Sequence, residues 1–299
     1  MSVSTKSANF GSVVTCIACS RVSQFAKCWS SPPDIGYTYT TRPAALCDSI
    51  GLAVKTTPAA NRNNGNSRVI TLTVYCVYKT LSITVIIPCL NEEEGIRLVL
   101  QDIPDFVDEV IVVDNNSTDR TGDVARSMGA KVVHEKIAGY GKAYKRGFAN
   151  ATSDVIITLD GDHSYPVSGI SYLLEAFLHL EVDFLNASRF PVRDSRAMSF
   201  KHKIGNLILS AVMSLLFFRW VRDSQSGMWV FRRSILDKIR LDSDGMAFSE
   251  EIKVEALKHP DLTFDEISIM YSSRAGETKL NPWADGVNNL LFLFRKRFQ

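Results

Sequence analysis

The chain has 299 residues, 45% hydrophobic and 22% charged, which are globular values for one large or two ordinary domains. Its net charge of +2 conceals a division, because residues 1–80 carry eight Lys or Arg against two acids and the remainder is net acidic. An acidic body lacks the basic face of a nucleic-acid binder, so nucleic acid is excluded as a partner.

All six cysteines precede residue 90. The body beyond them folds without disulfides, which suits a reducing, cytoplasmic compartment. "CIAC" at 16–19, followed by Cys28 and Cys47, offers one close pair where a zinc site wants two, and incidental cysteines are the simpler reading. Residues 1–80 are rich in Ser, Thr, Asn and Ala without a sustained period. They read as a low-complexity extension: a targeting segment, a disordered arm, or translated sequence upstream of the true start. The folded domain is expected at 81–299.

From residue 82 the texture changes. "ITVIIP" at 83–88 is a β-branched run expected of a strand buried on both faces. "NEEEGIRLVLQDI" follows, with Ile96, Val99, Leu100 and Ile103 at helical spacing and acids in the first turn, where the helix dipole favours them. "EVIVVD" at 109–114 predicts a second strand. "STDRTGDVARSMGA" predicts a helix capped by Ser117 or Thr118 and closed by Gly129. "KVVH" at 131–134 predicts a third strand, "GKAYKRGFANA" a further helix, and "VIITLD" at 155–160 a fourth strand. Strands alternating with helices imply an α/β fold with a mostly parallel sheet flanked by helices.

In such sheets ligands lie beyond the carboxyl ends of the strands. Three polar clusters fall there: "PCLNEEE", "VVDNNSTD" and "LDGDHSYP". The first lacks the Gly-x-Gly-x-x-Gly of a dinucleotide fold, and the glycines of "AGYGKAYKRGF" have neither that spacing nor a Lys-Ser pair, so they serve close packing or backbone approach to a ligand. Asp160 and Asp162 stand one residue apart. Unneutralised, two such carboxylates repel and one tends to protonate. A hard divalent cation, Mg²⁺ or Mn²⁺, shared with substrate phosphates relieves that repulsion. A solvated Asx turn is the bland alternative.

Seven segments in order, "IIPCLNEEEGI", "VIVVDNNSTDRT", "GYGKAYKRGF", "ITLDGDHSYP", "NASRF", "DSQSGMWVFRR" and "GETKL", resemble the family 2 glycosyltransferases, and among them the dolichyl- and polyprenyl-phosphate sugar transferases. The resemblance covers about residues 82–290. It implies the GT-A fold and inverting, metal-dependent transfer of mannose or glucose from GDP-mannose or UDP-glucose to a polyprenyl or dolichyl phosphate. It implies nucleotide contacts from Pro88, Leu90, Asn91, Glu92, Asp114, Asn115, Lys142 and Asp160, and a cation on Asp162 with Asp160. Where the family usually has a second aspartate this chain has Asn115, which leaves the base open, and where a Gln often follows the acidic pair it has Ser164. His163 beside it reads as a surface-turn residue.

The resemblance places Arg189, Lys201 and Lys203 against an anionic acceptor phosphate. It places Asp223, Gln225, Ser226 and Gly227 near acceptor and donor sugar, Glu250 and Glu251 at an acidic helix start, and Arg274 and Lys279 on a loop over the donor diphosphate. Asp160, Asp162, Asp223 and Arg189 form the implied catalytic set, with no essential base, because a phosphate acceptor is already anionic. "IGNLILSAVMSLLFF" at 204–218 is shorter than the roughly twenty residues a span needs. It reads as a buried or interfacial helix. The tail "VNNLLFLFRKRFQ" suits an anionic bilayer surface, and equally a helix packed on the domain. Peripheral membrane association is expected. The sequons at Asn115, Asn116, Asn150 and Asn186 fall mostly within the fold and are discounted. Alternatives are transfer to a different acceptor or an inactive nucleotide-sugar sensor. A processive synthase is rejected because "FFRW" lacks its Gln and no spans are present.

Overall fold

The computed structural model describes residues 81–192, 194, 197–274 and 282–298. The extension expected at 1–80, and Lys279, lie outside the described residues.

Apolar β-branched runs form the centre. β1 (Ile83–Cys89) buries every residue except Pro88. β2 (Glu109–Asp114) ends in four buried residues. The two pair in parallel with Pro88 opposite Val113 and Cys89 opposite Asp114, so both deliver their polar loops at one edge. β3 (Lys131–His134) extends the sheet beyond β2, with His134 opposite Asp114. β4 (Val155–Thr158) is wholly buried and runs parallel to β1 on its other side. With β5 (Phe184–Ser188), β6 (Trp229–Arg232) and β7 (Phe264–Ser268) the sheet has seven strands in the order β3-β2-β1-β4-β6-β5-β7. β6 runs antiparallel to β4 and β5, and the other pairs are parallel. The chain leaves β1 toward β2 on one side and finds β4 on the other, which opens a crevice at their carboxyl ends.

The helices are α1 (Glu93–Gln101), α2 (Thr121–Ser127), α3 (Tyr140–Phe148), α4 (Gly169–Leu180), α5 (Phe200–Phe217), α6 (Phe248–Lys258) and α7 (Pro282–Arg297). One core joins α3 and α6 to the sheet through Tyr144, Phe148, Trp229, Phe231 and Phe248. Tyr144 and Phe248 stack at 5.7 Å, which adds to the burial energy of both rings. A second core, Leu209, Met213, Val221, Val254 and Leu293, packs α5, α6 and α7 together. No helix among the described residues is long and apolar enough to cross a membrane.

Two local expectations change. The fourth strand stops at Thr158 rather than Asp160, because Thr158 Oγ1 donates to Gly227 O and accepts from Trp229 N, both at 2.8 Å. Both acids of the pair therefore lie on the turn beyond the ladder. Ser117 and Thr118 do not cap α2, which starts at Thr121 without a side-chain cap. They stitch the first two strand ends instead: Asn91 N donates to Ser117 Oγ at 3.0 Å and Thr118 N to Asn91 Oδ1 at 2.7 Å.

Gly95 shows how tightly α1 seats the acidic turn. A Cβ there would collide with Gly161 O and lie 2.9 Å from Asp162 Cα, both backbone atoms. Gly to Ala inside a helix normally stabilises by about 1 kcal/mol. Here overpacking dominates, so Gly95→Ala is expected to destabilise by about 1–3 kcal/mol in urea denaturation. A midpoint unchanged or raised would contradict this packing.

Candidate active site

The first two strand ends form one wall of the crevice. Asn91 holds a left-handed backbone, φ +52°, and Glu92 N donates to Thr121 Oγ1 at 2.8 Å. Asp114 is buried, its Oδ1 accepting from Ser117 N at 3.0 Å and its Oδ2 lying 3.1 Å from His134 Nδ1. Asn115 Oδ1 accepts from Gly139 N at 3.3 Å. Lys142 is turned to the loop before α6, 3.7 Å from Asp244 Oδ2, while Lys145 binds the same carboxylate at 2.6 Å. The glycines of that segment serve packing: Cβ atoms on Gly139 and Gly141 would strike Asp244 O and Ser243 O.

The fourth strand end carries the acids. Asp162 is 7% exposed, and its Oδ1 accepts from Ser164 N at 3.0 Å and Ser164 Oγ at 2.6 Å. The serine found where a Gln often stands thus orients the carboxylate. Asp162 Oδ2 lies 3.3 Å from Arg274 Nη2, which also reaches Glu92 Oε1 at 3.1 Å. Asp160 packs its carboxylate on Gly227, where a Cβ would come within 2.9 Å of Oδ1. Burial and then the charge of Asp162 push the Asp160 carboxyl up to about 7, against the pull of Arg189 and Arg274. His163 has φ +60° and sits 4.0 Å from Asp102, consistent with a turn residue.

No cluster of three metal-ligating side chains occurs among the described residues. Two adjacent carboxylates still suit a hard cation that brings most of its ligands as phosphate and water. The donor set therefore fits Mg²⁺ or Mn²⁺ carried with a diphosphate, and does not fit a dedicated cage.

The opposite wall is organised by Asp223. Its carboxylate is wholly buried and accepts five hydrogen bonds. Arg189 N and Nε reach Oδ2 at 2.9 and 2.8 Å. Arg189 Nη2, Asn206 Nδ2 and Gln225 N reach Oδ1 at 2.8, 2.7 and 3.1 Å. Burial alone would raise this carboxyl, but the Arg189 charge and hydrogen bonds prevail and hold it at about 2. The guanidinium also lies over the Tyr271 ring, 5.4 Å from its centroid. Arg189 is therefore a fixed, paired cation rather than a mobile surface arginine. Lys201 is exposed and Lys203 half-buried in the first turns of α5.

Sequence reasoning missed Lys253. It is 0% exposed and donates to Ser224 O, Ser226 O and Ser249 Oγ at 2.7, 2.7 and 3.0 Å. Burial pushes its ammonium down to about 7, while the Asp223 charge pulls it back up. Its signal was available: Lys253 stands four residues after Ser249 and three after Glu250 on α6, within reach of both.

Residues 84–240 match the glycosyl transferase family 2 pattern. A dolichyl-phosphate hexose transferase of Haloferax volcanii is 31% identical over 207 residues, 68% of this chain and 89% of that protein. The low-salt glycan biosynthesis hexosyltransferase Agl6 of the same organism is 30% identical over 71% of this chain, which spans 53% of that relative. A dolichol-phosphate mannosyltransferase of Pyrococcus furiosus is 27% identical over 67% of this chain and 59% of its own length. Among solved structures, glucosyl-3-phosphoglycerate synthase from Mycobacterium tuberculosis in complex with UDP superposes with a TM-score of 0.63 at 20% identity, covering 80% of this chain and 86% of that one. The same enzyme crystallised with Mn²⁺, UDP and glucosyl-3-phosphoglycerate gives 0.57. These likenesses establish the GT-A fold.

Asp223 predicts an acid limb in stability. Its folded pKa of about 2 lies below the unfolded value, so the folded chain binds fewer protons and stability falls on acidification. About 2–3 kcal/mol is present above pH ~4 and lost toward pH ~2. Asp223→Asn should remove that limb and cost about 3–5 kcal/mol at neutral pH, because Arg189 is left buried and unpaired. Unfolding curves of both proteins against pH check this.

Proposed function

Because this chain belongs to glycosyl transferase family 2 and is a hexosyltransferase, we propose that it transfers a hexose, with inversion, from a nucleotide diphosphate sugar to a polyprenyl phosphate at a membrane surface. One observation carries the acceptor. An apolar groove of about 670 Å³, lined by Phe190, Leu207, Ala211, Leu215, Trp220 and Val221, ends at residues adjacent in sequence to Arg189 and Asp223. A prenyl chain fits such a groove, and the phosphate at its head would meet the Arg189 guanidinium while Nε and Nη2 stay on Asp223.

The membrane follows from the same helices. Phe200, Leu207, Leu215, Phe218 and Trp220 are 65–82% exposed, and Leu291, Phe294 and Phe298 of the tail are 55, 45 and 83% exposed. Lys201, Arg219, Arg222, Arg295 and Arg297 are charged partners for anionic headgroups around that apolar face.

On the donor side, Pro88, Leu90, Asn91, Glu92, Asp114 and Asn115 line the wall for base and ribose of GDP-mannose or UDP-glucose, and Asp160 bounds its floor. Asp162 with Asp160 would hold Mg²⁺ or Mn²⁺, which supplies charge neutralisation for a departing nucleoside diphosphate. Arg274 stands against the same carboxylate and adds to that neutralisation. An acceptor phosphate oxygen forms the bond to the anomeric carbon as the bond to the diphosphate oxygen breaks, and the nucleoside diphosphate leaves with the electron pair. Asp223 takes no proton, since five donors saturate a carboxylate held at about 2. Its part is to fix Arg189.

The test is transfer from both donors, with Mg²⁺ or Mn²⁺, to a short polyprenyl phosphate and to the matching alcohol. Transfer to the phosphate is expected to dominate, and Asp162→Asn to lower turnover about 10²-fold or more. Preference for the alcohol, or full activity in Asp162→Asn, would contradict the reading.

A further inference from the structure

The half-buried Gln225 joins three elements. Its Nε2 donates to Glu250 Oε1 of α6 at 2.6 Å, and its Oε1 accepts from Asn289 Nδ2 of α7 at 3.0 Å. Its backbone N donates to Asp223 Oδ1 at 3.1 Å. Lys253 grips the carbonyls on either side of it, Ser224 O and Ser226 O. Asn289 is 4% exposed and Glu250 is 0% exposed. These bonds are partly buried, and the Glu250 and Asn289 ends lie away from water, where a missing partner costs most.

α7 has two distinct faces. Asn289, Leu293 and Lys296 follow i, i+4, i+7 and are buried, whereas Val287, Leu291, Phe294 and Phe298 follow i, i+4, i+7, i+11 and are exposed. Lys296 secures the inner face at its far end, 3.1 Å from both Glu251 and Glu255. A helix that served only to lie on a bilayer would need no buried amide at 289, because an apolar side chain there would pack against α6 as well. The amide instead reaches Gln225, whose side chain joins Lys253 and Ser249 in tying the 223–227 loop to α6.

We propose that Asn289 is a positioning residue for transfer: docked α7 fixes Gln225, Gln225 fixes the Asp223 carboxylate, and Asp223 aims the Arg189 guanidinium at the acceptor. The acceptor side is then complete only with the carboxyl-terminal helix in place. This rests on the reading of Arg189 as the acceptor clamp.

The experiment is steady-state transfer by the full chain at saturating donor and cation, without membrane, to a ten-carbon prenyl phosphate and its alcohol. Asn289→Ala is expected to raise acceptor KM about tenfold with little change in kcat, and to leave the donor Kd by calorimetry unchanged. Gln225→Ala should do the same, and the double variant should be no worse than either single one, because both remove one shared link. Wild-type constants in Asn289→Ala, or a loss seen only with vesicle-borne acceptor, would overturn the proposal and leave α7 as an anchor. A parallel loss of donor affinity would overturn it too, as general loosening. If the wild-type chain used the alcohol and not the phosphate, the phosphate reading would fall while the KM comparison on the alcohol still decided the part played by Asn289. Transfer to neither would overturn both.

Discussion

The wall built by β5, α5 and the loop before β6 depends on the buried pair Arg189–Asp223. Taking two charges out of water costs several kcal/mol per ion unless each is closely hydrogen-bonded. The chain meets that demand from four directions. Arg189 closes β5, Asn206 comes from the interior of α5, Gln225 from the loop before β6, and Glu266 of β7 accepts from Arg222 N at 2.6 Å to hold the backbone that carries Asp223. Each of these elements is thereby placed relative to the others by one carboxylate. The apolar groove lies where it does because α5 and the 220–222 segment are drawn to that pair.

The donor side has the opposite problem. Asp160, Asp162 and Glu92 bring acidic charge together at the ends of β1 and β4, and Arg274 lies between Glu92 and Asp162. Packing enforces the proximity: α1 presses Gly95 onto the turn, and Gly227 leaves room for the Asp160 carboxylate. A carboxyl driven up to about 7 by burial and a like neighbour is a site awaiting positive charge. On the proposed reading, a cation with its diphosphate would satisfy it. The two walls thus differ in kind: a buried Arg189–Asp223 pair on one, and a cluster of acids bridged by Arg274 on the other.

Much of this was legible in the sequence because the relevant signals are local. The buried strands announced themselves as β-branched runs, and the three polar clusters fell at strand ends where a parallel sheet puts its ligands. The acidic pair stood at one of those ends, whereas Asn115 and Arg189 were singled out by the family resemblance. What was hidden required contacts between residues far apart in sequence. Nothing near Arg189 indicates that Asp223, thirty-four residues on, would claim its guanidinium. Ser117 and Thr118 looked like helix caps because their alternative partner, Asn91, is on another strand. Lys142 was expected at the nucleotide, and the sequence alone did not show that Asp244 would lie beside it. Gly139 and Gly141 next to it admit the backbone of the 243–244 segment.

The central claim is that Asp223 orients and does not remove a proton. The most direct measurement is the pH dependence of kcat/KM for a prenyl phosphate at saturating donor and cation. The account predicts one rising limb near the second ionisation of the phosphate, about pH 6, unchanged in position when Arg189–Asp223 is weakened by Asp223→Asn. A second limb that belongs to the enzyme and vanishes in Asp223→Asn would make Asp223 a base and contradict the account.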